Sequence, residues 1–152
     1  METINNQIVN QLLEKPYWVI DILPCQVPVN SPRQYFKVEQ FYLHAPQINY
    51  IHKKFANVLL KLNCYYDYDM LTHDGEWLHH PVPEELYDHV TKCPDNFHNL
   101  IILTHDHQAM FTINGDDTYM TVYHPDQELL SLLKDLSTSE GLFLWEPPKE
   151  QD

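Results

Sequence analysis

Asn114-Gly115-Asp116-Asp117 stands between two runs, 109–113 (Ala-Met-Phe-Thr-Ile) and 118–122 (Thr-Tyr-Met-Thr-Val), whose side chains alternate in character. No other feature restricts the fold as strongly. Asn-Gly accepts the positive φ of a tight turn, so the segment predicts a β-hairpin. A two-residue loop faces Phe111 with Thr118, and a four-residue loop faces Phe111 with Met120. These registers differ by two residues, and strand side chains alternate with period two. Ala109, Phe111 and Ile113 therefore share one face with Met120 and Val122 in both, and that face should be buried. Asp116 and Asp117 are expected in solvent at the turn. Leu100-Ile101-Ile102-Leu103 reads as a buried strand just upstream. Three consecutive strands point to an α+β fold with a largely antiparallel sheet.

The remaining segments fill in the helices. Ile4, Ile8 and Leu12 recur at helical spacing over 3–14, and Lys15-Pro16 ends that helix. Residues 17–23 are aromatic and β-branched and read as a strand. Pro24, Pro28 and Pro32 then punctuate a loop. A short helix is expected over 34–43. The next begins near Pro46 and carries Ile48, Ile51, Phe55, Leu59 and Leu62 on one face, with Lys53, Lys54 and Lys61 off the stripe. In 64–70, alternation places Cys64, Tyr66, Tyr68 and Met70 opposite Tyr65, Asp67 and Asp69. Residues 72–83 read as a loop, Pro83 opens a short helix, and Pro125 opens a leucine-rich one. Residues 141–145 form a final strand. The expected order is αβααβαβββαβ, a sheet of five to six strands with helices packed on one face. The chain of 152 residues suits one domain over 1–146, followed by a flexible tail, 147–152.

Charge and rarity narrow the function. Asp and Glu number 22 against 9 Lys and Arg, a formal net charge of −13, and Arg33 is the sole arginine. Phosphate backbones and anionic membranes require cations, so neither nucleic acid nor a membrane surface is an expected partner. The three glycines cannot build a phosphate-cradling loop. Ser31, Ser131, Ser137 and Ser139 lie outside any nucleophile elbow. No cofactor is expected. The N-terminus lacks the basic-then-apolar order of a signal peptide, and no apolar run reaches the ~18 residues of a membrane span. Cys25, Cys64 and Cys93 form no C-x-x-C pair and read as reduced thiols, which places the expected location in the cytoplasm.

Two short stretches resemble catalytic motifs. Thr104-His105-Asp106-His107, after the strand 100–103, resembles the first metal motif of the metallo-β-lactamase hydrolases, where such histidines bind zinc. That family continues with an Asp-His pair, whereas Gln108-Ala109-Met110 stands here, so a polar turn is the preferred reading. Asp67-Tyr68-Asp69-Met70-Leu71-Thr72 resembles the D-x-D-x-x-T of haloacid-dehalogenase-type phosphatases, with Thr104 and Gly115-Asp116-Asp117 as its later motifs. That resemblance implies a phosphoryl nucleophile and magnesium on a parallel sheet, and a lysine that 104–115 lacks. A polar outer strand face is the preferred reading.

No catalytic residue is therefore assigned. His73, His105 and His107 remain the candidates for a metal site, among ten histidines. Cys93, beside Lys92, reads as a packing or surface thiol. Tyr65, Asp67, Asp69 and Trp77, from a tract rich in aromatic and acidic side chains, are the candidates for partner contact. The leading expectation is a non-catalytic acidic module that binds a basic protein. In size and charge alone it resembles small acidic inhibitors of the bacterial immunity type. A metal-dependent hydrolase using the histidine-rich loops, and a structural subunit that forms a homodimer, are the alternatives.

Overall fold

The computed structural model describes residues 2–30, 34–94, 98–104 and 108–148, with the side chains of Glu2 and Thr3 excepted. Among the described residues, five helices and seven strands follow in the order α1 (Glu2–Leu12), β1 (Tyr17–Asp21), α2 (Gln34–Leu43), α3 (Gln47–Leu62), β2 (Tyr68–Leu71), β3 (Trp77–His79), α4 (Pro83–Thr91), β4 (His98–Leu103), β5 (Met110–Asn114), β6 (Tyr119–Tyr123), α5 (Gln127–Ser139) and β7 (Phe143–Trp145). The strands form one sheet, β3-β2-β4-β5-β6-β1-β7, and every neighbouring pair is antiparallel. The chain is thus a single α+β domain. An antiparallel sheet leaves no parallel strand edge for the phosphatase arrangement.

The sheet has seven strands where five to six are expected, and the addition is β3. Thr72 and Glu76 close a turn through Thr72 N–H on the Glu76 carbonyl at 2.8 Å, and Gly75 supplies its positive φ of 85°. That turn returns Trp77–His79 antiparallel onto β2. Three residues are too few to show an alternation, so the sequence reads them as loop.

One face of the sheet carries the main core. The α3 stripe buries Ile51, Phe55, Leu59 and Leu62 against Tyr68, Met70, Ile101, Leu103, Phe111, Ile113, Met120 and Val122. Leu86 of α4 and Leu129 and Leu133 of α5 complete it. The Tyr68 hydroxyl donates to the Leu59 carbonyl at 2.8 Å, satisfying the one polar atom of a fully buried ring. Asp126 caps α5 by accepting from Leu129 N–H at 2.8 Å.

The hairpin keeps its expected faces in a shifted register. Phe111 pairs with Val122 and Ile113 with Met120, two residues beyond the four-residue-loop alignment, so the loop is 115–118. Parity is preserved, and Ala109, Phe111, Ile113, Met120 and Val122 are all buried. Gly115 serves a different purpose from the one expected. Its φ is not positive; instead a Cβ there would lie 2.2 Å from the Pro94 carbonyl oxygen. Backbone approach, not turn handedness, demands glycine at this position. Asp116 is exposed as expected, but Asp117 is half-buried.

α1 departs from the expectation that helices pack on one face. Its Val9 and Leu12 meet Trp77, Ile102 and Met110, which alternate with the main-core residues and so point to the opposite side. Asn5 Nδ2 donates to Asp69 Oδ2 at 3.2 Å, and Trp77 Nε1 donates to Asn6 Oδ1 at 3.3 Å, fixing α1 over β2 and β3. Among the described residues, no helix is long and apolar enough to cross a membrane.

Candidate functional site

α1 covers only part of the second face, and the remainder walls a cavity of about 710 Å3. Strand alternation builds its floor. β6 sends Met120 and Val122 into the core and Tyr119, Thr121 and Tyr123 into the cavity. β1 likewise turns Ile20 to the core and Tyr17, Val19 and Asp21 to the cavity. Thr112 and Asn114 of β5, His98 and Leu100 of β4, and Trp145 of β7 extend the floor. Val9 and Leu13 of α1 form one wall. Leu23, Val27 and Tyr35 line the cavity from the segment after β1 and from the start of α2, as does the exposed Cys25. Among the described lining residues there is no lysine or arginine.

Two carboxyl groups dominate its electrostatics. Asp21 retains 8% of its surface, and its Oδ1 accepts the Ile22 N–H at 2.7 Å. Burial raises its pKa, while the Leu23 and Ile22 N–H groups and the Trp145 indole pull it back down. The indole influences Asp21 without a hydrogen bond of normal geometry: Nε1 is buried and makes none among the described residues. Asp117 sits in the hairpin loop, where Asn114 Nδ2 donates to its Oδ2 at 2.7 Å. Its carbonyl meets Nε2 of the buried His52 at 3.0 Å, tying the loop to α3. Burial raises the Asp117 pKa, partly offset by the Asn114 hydrogen bond.

Burial is the leading cause of a raised pKa for Tyr35, Tyr119 and Tyr123, and Tyr35, whose hydroxyl donates to Glu39 Oε2 at 3.0 Å, is pushed up to about 12. Tyr119 is raised by burial and then by Asp117, Tyr17 and Asp21. Tyr123 is raised by burial and by Tyr17, whose ring centroid lies 5.4 Å away. The Thr112 and Thr121 hydroxyls hydrogen-bond to each other across the β5–β6 pair. The cavity therefore offers carboxylates, phenols, ring faces and an aliphatic wall. That set suits a positively charged, partly apolar group.

The residues singled out by sequence lie elsewhere. Tyr65 is 68% exposed, and Asp67 is half-exposed with its Oδ1 3.6 Å from His80 Nδ1. Asp69 and Trp77 are 7% and 8% exposed beneath α1, and Asp69 also binds His79 Nδ1. The four therefore do not form one accessible surface. His73 lies against His89, ring centroids 4.5 Å apart, and burial lowers its pKa, with His89 adding to the effect. His105 and His107 lie outside the described residues. Among the described residues no three His, Cys, Asp or Glu side chains gather to hold a metal.

In the sequence, Asp117, Asn114, Leu100 and Cys25 are named for other reasons and the cavity is not gathered, although one signal for it is there. Tyr119-Met120-Thr121-Val122-Tyr123 and Tyr17-Trp18-Val19-Ile20-Asp21 both alternate a core position with an aromatic or polar one. A strand whose outer face is rich in Tyr and buried Asp is not merely solvated. Compared with known proteins, the chain matches no family model, and no curated protein or solved structure shows significant similarity to it.

Proposed function

We propose that this protein is a non-catalytic acidic binding module that engages a basic protein through the open half of the second sheet face. The observation carrying this reading is the cavity itself: it holds Asp21 and Asp117 among five aromatic side chains, with no lysine or arginine among its described lining residues. A carboxylate buried without a cationic partner is costly to the free protein, and an incoming cation relieves that cost. The formal net charge of −13 adds long-range attraction for a basic partner and accelerates its arrival. Aromatic side chains supply contact area at little entropic cost.

The test is affinity capture with the native protein and with the Asp21→Asn/Asp117→Asn double variant, at low and at near-physiological salt. A basic protein retained by the native form at both salt concentrations, and lost by the variant, is the expected result. Equal retention by both forms, or capture that salt abolishes for both, removes the cavity from partner recognition.

A further inference from the structure

We propose that the cavity is a small-molecule site for a protonated organic amine with an apolar body, the ammonium seated toward Asp21 and Asp117 and the body along the α1 wall. This deepens the preceding proposal and rests on its reading of the cavity as a cation acceptor. Size is the first argument. A volume of about 710 Å3 falls within the ~300–1,000 Å3 of sites that enclose whole small molecules, well beyond the tip of one side chain. Division of the lining is the second. Val9, Leu13, Val19 and Leu100 present aliphatic surface, while Asp21 and Asp117 present anionic oxygen. The ligand is thereby matched on both sides: a hydrocarbon portion to displace water and a cation to meet carboxylate.

Charge selects the sign of the head group. An anion would enter a cavity with two carboxyl groups and, among the described lining residues, no lysine or arginine, inside a chain of formal net charge −13. A cation gains the carboxylates and, in addition, the faces of Tyr17, Tyr119, Tyr123 and Trp145. The same ammonium chemistry can be delivered by a free amine or by a lysine of the partner protein, and the experiment separates the two.

Calorimetric titration of the full chain with 3-phenylpropylamine, 3-phenylpropan-1-ol and 3-phenylpropanoate varies only the head group. The amine is expected to bind roughly tenfold or more tightly than the alcohol, and the carboxylate not at all. Asp21→Asn should weaken the amine roughly tenfold or more, while Asp67→Asn, in the loop before β2, should leave it unchanged. Asp117→Asn provides a second test should Asp21→Asn fail to fold. Equal affinity for amine and alcohol, or amine affinity unmoved by both cavity substitutions, overturns the proposal. A lysine-rich peptide that displaces the amine supports a shared site. Amine binding that a captured basic protein does not disturb keeps the amine site and removes the protein from it. A basic protein retained through Asp21 and Asp117, with no amine bound, overturns the amine site and leaves the protein-binding reading standing.

Discussion

The two faces of the sheet are built from the same strands and differ in almost every other respect. Behind β6, Met120 and Val122 are sealed under α3, α4 and α5 in an apolar core. On the other side, Tyr119, Thr121 and Tyr123 border a cavity that α1 leaves open. On the covered face the Tyr68 hydroxyl is satisfied by the Leu59 carbonyl, while the buried Ser137 Oγ makes no hydrogen bond among the described residues. The open face keeps two carboxyl groups whose burial raises their pKa. An element that served only stability would bury apolar side chains there instead. Under the proposed binding reading, the covered face and the α1 cluster hold the fold together, and the part of the second face that α1 leaves open serves recognition at some cost to stability.

Substitutions sharpen this contrast. Phe55→Ala, at a fully buried position of the covered face, should destabilise by about 3–5 kcal/mol in urea unfolding. A loss below about 0.5 kcal/mol would show that the α3 stripe is not the centre of the core. Gly115→Ala, which drives a methyl into the Pro94 carbonyl, should cost about 1–3 kcal/mol and disturb the Asp117 loop. An unchanged unfolding midpoint would contradict the close approach at Pro94.

A smaller effect follows from proton linkage. Burial lowers the His52 pKa below its ordinary 6.5, so the unfolded chain takes up that proton first. Stability is therefore present above 6.5 and lost as pH falls below it, with His73 contributing in the same direction. His52→Gln should flatten, without abolishing, the fall in urea midpoint between about pH 7 and about pH 5. A profile unchanged by the substitution would remove His52 from the linkage.

Much of the covered face is legible in the sequence, because short-range periodicity encodes it. The Ile51, Phe55, Leu59 stripe and the parity of Phe111, Ile113, Met120 and Val122 need no knowledge of the rest of the chain. The hairpin register escaped because parity is indifferent to a two-residue shift. Position 115 needed glycine for Pro94, a contact that lies twenty-one residues upstream in sequence. The candidate site was least legible. Its lining comes from β1, β4, β5, β6, β7, α1, α2, the β5–β6 loop and the segments after β1 and β7, so no local window contains it. Asp69 and Trp77 stood out locally, yet α1 buries both.

Asp21 is where the two-face account is most exposed to failure, and urea unfolding of Asp21→Asn at neutral pH tests it directly. The amide is nearly isosteric and its oxygen can still accept the Ile22 N–H, so the substitution removes the buried charge together with what the Leu23 N–H and the Trp145 indole give the carboxylate. A carboxyl whose folded pKa is raised holds its proton more tightly in the folded chain. Ionisation therefore subtracts stability as pH rises from the ordinary 3.8 through the raised value, and the full loss remains above it. Asp21→Asn is therefore expected to be more stable than the native protein, by about 0.5–2 kcal/mol, the range common to single stabilising substitutions. A variant less stable by more than about 1 kcal/mol would make Asp21 a structural residue of the β1 terminus and contradict the assignment of the open face to binding.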